Sequence, residues 1–235
     1  MPEFRATRQT IEYPWNTSPA HDEQMRKFVE ACVYLVTSQS MSAGRTTIEI
    51  VQSALTGGIR LIQLREKNLS CTQFKALAEK VKVLTDQAGA LLLINDRLDT
   101  AMSAGADGVH LGQNDLPVNE ARKQAPDLII GASIHSIEEA VKAQADGASY
   151  VNIGPVFPTQ TKEGCDKFLG IKAVKEISSA ITIPFTVMGG IKKDNIPDLI
   201  SAGARIIAVV TAITAADNPE KAAKTLMAMV KPDIA

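Results

Sequence analysis

Residues 90–115 read ALLLINDRLDTAMSAGADGVHLGQND. Two short apolar runs, 90–95 and 108–112, pass directly into polar residues: Asn95 and Asp96 after the first, Gln113 and Asp115 after the second. Neither run alternates apolar with polar, so each suits a strand covered on both faces, as in a parallel sheet. The small-residue unit AGADG at 104–108 leads into the second run. Glycine there suits a left-handed helix stop, and a short turn returns the chain into the next strand. The stretch is one βα unit and the opening of another.

The same unit recurs in both directions. Apolar runs at 33–37, 59–64, 128–133, 150–155, 184–190 and 206–211 bring the number of expected strands to eight. TGG at 56–58, AGA at 88–90, DGA at 146–148 and SAGA at 201–204 repeat the small-residue lead-in. In 72–84, Phe74, Leu77, Ala78, Val81 and Leu84 fall on one helical face. Ser136 with Glu139 forms the pattern of a capping box, and further helices are expected at 173–177, 195–201 and 219–230. The intervals are irregular, which excludes a fixed-period solenoid. No G-x-G-x-x-G turn follows the first strand, so a closed (β/α)8 TIM barrel with a parallel eight-stranded sheet is expected rather than an open doubly wound sheet.

This barrel is expected as a single domain over 28–235. Residues 1–27 are polar, lack sustained periodicity and hold the only tryptophan, Trp15. They read as a flexible or surface-packed arm with no catalytic role. Apolar residues make up 45% and charged residues 22% of the 235, so a packed core is expected and disorder is not. Lys plus Arg is 25 and Asp plus Glu 26, a net charge of −1, which removes the whole-chain electrostatic case for nucleic acid or an anionic membrane. No apolar run approaches the roughly 18 residues of a transmembrane helix, and the start lacks the apolar core of a secretory signal. Cys32, Cys71 and Cys165 are odd in number and far apart, so a reducing cytoplasm is the expected compartment.

In such a barrel chemistry occupies the carboxyl ends of the strands. Gln63-Leu64-Arg65-Glu66-Lys67 closes the second run, Asn95 and Asp96 the third, and Gln113 and Asp115 follow the fourth. Ser133 and His135 stand at the fifth, Thr159, Thr161 and Lys162 after the sixth, Gly189-Gly190 at the seventh and Val210-Thr211 at the eighth. Asp96 and Asp115, on neighbouring strands, are the hard oxygen pair that Mg²⁺ takes when substrate phosphates complete its shell. Arg65, Lys67 and Lys162 would surround the same rim, which suits a substrate with more than one phosphate. Any one of these pairs reads better as an interloop salt bridge; the whole set does not. Gly189-Gly190 and the backbone after the eighth strand lie where barrels usually cradle a phosphate, and glycine permits its close approach. His110 reads as a barrel-interior histidine satisfied by a neighbour, His135 as a substrate contact or a loop cap, and Met188 as packing.

The strings QLREK (63–67), INDR (94–97), GADGVHLGQND (105–115), GASIH (131–135), GPVFPTQTK (154–162), GGI (189–191) and VVTAI (209–213) resemble the thiamine-phosphate synthase family. The resemblance implies a (β/α)8 transferase of thiamine biosynthesis. Such an enzyme joins 4-amino-2-methyl-5-hydroxymethylpyrimidine diphosphate to a thiazole phosphate or its carboxylated form, with Mg²⁺, and releases pyrophosphate. Carried over by motif, Gln63, Leu64, Arg65, Glu66, Lys67, Asn95, Ser133 and Lys162 hold the pyrimidine diphosphate. Among them Arg65, Lys67, Ser133 and Lys162 take the catalytic roles. Asp96 and Asp115 bind the metal. Thr159, Thr161, Gly190, Val210 and Thr211 hold the thiazole phosphate, with Thr211 standing where the family usually has Ser. The partners implied are small molecules, with no nucleic acid and no membrane. The pyrimidine amino group can push electrons toward the exocyclic carbon as pyrophosphate leaves, so the displacement is dissociative and needs no strong base.

Two other enzyme readings share the fold. A thiazole tautomerase relative would need the thiazole phosphate cradle but no Mg²⁺-diphosphate site. A phosphate-binding barrel lyase or isomerase would use Lys67 or Lys162 as a Schiff-base amine. A non-catalytic ligand-binding regulator is the third class, and it gives no reason for so many convergent charges.

Overall fold

Eight short strands pair in chain order, all parallel, and the last closes on the first. They are β1 (Val33–Val36), β2 (Leu61–Leu64), β3 (Leu91–Asn95), β4 (Gly108–Leu111), β5 (Ile129–Ile134), β6 (Tyr150–Ile153), β7 (Phe185–Met188) and β8 (Ile206–Val209). Closure is made by Val33 opposite Ile207 and Leu35 opposite Val209. The computed structural model describes residues 17–159 and 168–231.

The strands are apolar on both faces because the barrel has two cores. Outward-facing residues such as Leu35, Ile62, Leu92, Val109, Val151 and Val187 pack against the helices. Inward-facing residues such as Tyr34, Leu61, Leu93, Ile129, Tyr150 and Ile206 fill the barrel. Gly131 explains how a tyrosine fits inside: a Cβ there would lie 2.2 Å from Cζ of Tyr150. The Tyr150 ring occupies the space that a side chain at this position of β5 would fill.

Among the described residues one helix, α1 (Pro19–Val29), precedes the first strand, and the others follow the strands, two of them after β8. After β1 and β2 come α2 (Thr47–Thr56) and α3 (Cys71–Gln87), both opened by a complete capping box. In α3, Phe74, Ala78 and Val81 are buried as the spacing expects, while Leu77 and Leu84 are half-buried. Next come α4 (Leu98–Ser103), α5 (Val118–Gln124), α6 (Ile137–Ala145), α7 (Gly170–Ser179), α8 (Ile196–Ser201), α9 (Thr211–Thr214) and α10 (Pro219–Val230). The expected capping box of α6 is only half made. Ser136 accepts from the Glu139 N–H, but the Glu139 carboxylate accepts from the backbone N–H of His135 instead of returning to Ser136. Among the described residues no helix is long and apolar enough to cross a membrane.

The described part of the amino-terminal segment, from residue 17, packs against the barrel. The helix α1 runs across the boundary drawn at residue 27 and buries His21, Met25 and Phe28. The Ser18 hydroxyl caps it by accepting from the His21 N–H, and Pro19 opens its first turn, where a missing N–H costs nothing. Phe28 lies under the barrel floor, its ring centroid 4.4 Å from that of Tyr150 and 6.5 Å from that of Tyr34. His21 Nε2 is 2.9 Å from the Ser149 hydroxyl, which accepts from Arg122 Nη2 and from the Ile130 N–H. Trp15 and the rest of 1–16 lie outside the described residues.

Candidate active site

The open end of the barrel is a cleft of about 1440 Å³ at the carboxyl ends of the strands. Gln63, Arg65 and Lys67 reach it from β2, Asn95 and Asp96 from β3, and Asp115 from the loop after β4. Ser133, Thr159, Gly190, Val210 and Thr211 complete the wall from β5 to β8. Residues as far apart in sequence as Gln63 and Thr211 thus share one cavity.

The β2 end is tied to β1. Thr37, 1% exposed, donates its N–H to Gln63 O at 2.9 Å, and its hydroxyl accepts from the Arg65 N–H at 2.9 Å. Two residues of the QLREK string stand apart from the cleft. Leu64 is fully buried and its side chain belongs to the outer core. Glu66 accepts from the Gln39 N–H at 2.8 Å and from the Thr47 hydroxyl at 2.7 Å, so it fastens the loop after β1 to α2. Neither side chain lines the cleft, because the chain sends alternate residues outward here.

Asp96 has φ +64°, in the left-handed region that Asp tolerates better than most residues. Its N–H donates to His110 O at 2.8 Å, which fixes the carboxylate beside β4. Burial and the neighbouring Asp115 carboxyl push Asp96 up to about 6, against the opposing pull of Asn95 and Lys67. Asp115 is held by the Gly112 N–H at 2.6 Å. Two partly desolvated carboxylates facing each other are a donor set that a hard dication would relieve. Among the described residues no group of three or more His, Cys, Asp or Glu side chains converges.

The loops after β6 and β7 are zipped together. Val156 N–H donates to Met188 O at 2.9 Å and Phe157 N–H to Gly189 O at 3.0 Å. Gly189 and Gly190 have φ +101° and +64°. A Cβ on Gly190 would lie 2.3 Å from Pro158 O, so glycine is required there by the approach of two backbones as well as by its dihedral. Val210 and Thr211 form the start of α9. Thr161 and Lys162 lie outside the described residues.

His110 is 6% exposed and bridges the Tyr150 hydroxyl, 2.8 Å from Nδ1, and the Ser133 hydroxyl, 2.9 Å from Nε2, as expected of a satisfied interior histidine. His135 pairs with Glu139 at 3.1 Å. Met188 packs partly buried against the inner core. Sequence reasoning missed Asn152, whose Oδ1 accepts from the buried Thr186 hydroxyl at 2.7 Å on the cleft floor. Its signal was a lone amide inside the apolar run of β6. It also missed Arg97, which stacks 4.8 Å from the Phe74 ring centroid and lines a side pocket of about 250 Å³ with Glu66, Lys67 and Asp96.

The chain is 43% identical to a thiamine-phosphate synthase of Methanoculleus marisnigri over 195 residues, 83% of this chain and 92% of that one. It is equally 43% identical to one of Clostridium novyi, covering 83% and 96%. The structure of the thiamine phosphate pyrophosphorylase of Pyrococcus furiosus superposes with a TM-score of 0.81 at 34% identity, over 88% of this chain and 100% of that one. A 3-hexulose-6-phosphate synthase, at 22% identity and a TM-score of 0.64 over 84% of this chain and 100% of that one, shares the fold. Residues 33–213, from the first strand through most of the α9 turn, match the model of the thiamine monophosphate synthase family, and the chain belongs to that family.

Proposed function

We propose that the protein, as a thiamine-phosphate synthase, joins an aminopyrimidine diphosphate to a thiazole phosphate within this cleft and releases pyrophosphate. The observation that carries this reading is the two-sided rim. Arg65, Lys67, Asp96 and Asp115 gather at β2 to β4, and Gly190, Val210 and Thr211 at β7 and β8. One side suits a metal-bound diphosphate and the other a monophosphate.

Asp96 and Asp115 would hold Mg²⁺, which supplies neutralisation of charge on the departing diphosphate. Arg65 and Lys67 supply fixed positive charge to the same group as the carbon–oxygen bond breaks. Gln63 and Ser133 orient the pyrimidine ring from opposite parts of the barrel. Gly190 and the Val210-Thr211 backbone bring the thiazole nitrogen within reach of the electron-poor carbon. The histidines of the cleft support a mechanism without a general base: His110 is committed to Tyr150 and Ser133, and His135 to Glu139. The test is product formation. With Mg²⁺ and both substrates, mass spectrometry should find thiamine phosphate, and Arg65→Gln should lower kcat about 10²-fold. No product from folded wild-type protein would overturn the reading.

A further inference from the structure

A thread of hydrogen bonds crosses the barrel beneath the cleft. Gln63 Nε2 donates to the Tyr34 hydroxyl at 2.6 Å. The Tyr34 and Tyr150 hydroxyls are 3.0 Å apart, Tyr150 is 2.8 Å from His110 Nδ1, and His110 Nε2 is 2.9 Å from Ser133 Oγ. Both tyrosines are fully buried, and Gln63 is 2% exposed. The two ends, Gln63 on β2 and Ser133 on β5, both line the cleft.

Each hydroxyl has one hydrogen to give. Tyr34 receives the amide hydrogen of Gln63, so its own goes to Tyr150. Tyr150 then gives its hydrogen to His110 Nδ1. A ring nitrogen that accepts carries no hydrogen, so the neutral imidazole is protonated at Nε2 and donates to Ser133. The hydrogen of Ser133 is left for the cleft, and so is the carbonyl oxygen of Gln63. Burial keeps both phenols protonated well above the ordinary tyrosine range, so each hydroxyl retains its hydrogen. The Tyr150 ring is seated in the space left by Gly131 and against Phe28 of α1.

We propose that Tyr34, Tyr150 and His110 are positioning residues whose hydrogen bonds fix the polarity of the cleft, presenting Ser133 as a donor and Gln63 as an acceptor to the substrate ring. Resting on the function proposed above, the pairing matches an aminopyrimidine, which offers an amino donor and ring-nitrogen acceptors. The reverse polarity, with the Gln63 amide turned over and His110 protonated at Nδ1, also leaves each bond of the thread made. The tautomer of His110 is therefore the observable that separates the two.

The chain has three histidines, so protein labelled with ¹⁵N-histidine gives a spectrum that His21→Gln and His135→Gln variants assign. Long-range ¹H–¹⁵N correlation at neutral pH should show His110 as the Nε2–H tautomer. In Tyr150→Phe the donor to Nδ1 is gone, and the Nδ1–H form should gain population. KM for the pyrimidine diphosphate should rise about tenfold in Tyr150→Phe while KM for the thiazole phosphate stays, the loss of one buried hydrogen bond. In a Ser133→Ala background the added effect of Tyr150→Phe should vanish. Wild-type His110 protonated at Nδ1, or on both nitrogens, would overturn the proposal, and that measurement needs no variant of the thread to fold. Equal rises in both KM values would also overturn it. Absence of turnover would instead count against the proposed function, leaving the tautomer to decide the polarity.

Discussion

The carboxylate pair is where single residues matter most. Asp96 is raised to about 6 by burial and by Asp115, so part of that cost is mutual repulsion. Asp115→Asn should therefore raise the metal-free stability at pH 7 by about 1 kcal/mol, measured by urea unfolding. Mg²⁺ should raise Tm of the wild type but not of Asp96→Asn, a substitution whose amide tolerates the left-handed dihedral. A Tm rise of equal size in both would remove Asp96 from the metal site. Gly190→Ala should lower stability as well as thiazole phosphate affinity, because its Cβ would meet the Pro158 carbonyl at 2.3 Å. Thermal unfolding checks this, and an unchanged Tm would contradict the packing. The rim residues were legible one by one, since their positions after apolar runs mark strand ends. The outward turn of Leu64 and Glu66 was not, because a string of letters does not say which side chains leave the cleft. Asn152 and Arg97 needed the folded neighbours that give them a role.

The strands were the most legible elements, and among the helices length alone did not decide it: α8, of 6 residues, was expected and α2, of 10, was not. Every strand lies within the apolar run that announced it, give or take a residue, because a two-faced core demands uninterrupted apolar sequence. The long α3 and α10 were visible through their periodicity, whereas α4 and α5, of 6 and 7 residues, are too short to show one. The helix α1 was hidden by its polar composition: it buries only His21, Met25 and Phe28. It also makes a prediction. Burial, then the Arg122 charge, lowers His21 from the ordinary 6.5 to about 4. The unfolded chain binds the proton first as pH falls, so the contribution is present above pH 6.5 and is lost between there and about 4. At most about 3 kcal/mol is at stake. The unfolding free energy in urea should fall more steeply from pH 7 to 4 in wild type than in His21→Gln. Parallel curves would show that the imidazole is not buried neutral.

For the molecule as a whole, closure of the barrel turns a linear order of strands into a ring. That is why Arg65, Lys67, Asp96 and Asp115 can face Gly190, Val210 and Thr211 across one cleft. The repeat of apolar run, polar end and small-residue turn made the fold readable, because each repeat is what a parallel strand covered on both faces requires locally. The interior thread was not readable in the same way. Tyr34, Gln63, His110, Ser133 and Tyr150 come from β1, β2, β4, β5 and β6, and their side chains meet only once the ring has closed. The most direct test is pyrophosphate release from the pyrimidine diphosphate, with and without the thiazole phosphate, in the presence of Mg²⁺. One pyrophosphate is expected for each thiamine phosphate formed, with release depending on the thiazole phosphate and falling about 10²-fold in Arg65→Gln. Thiazole phosphate converted with no pyrophosphate released would contradict the two-sided cleft.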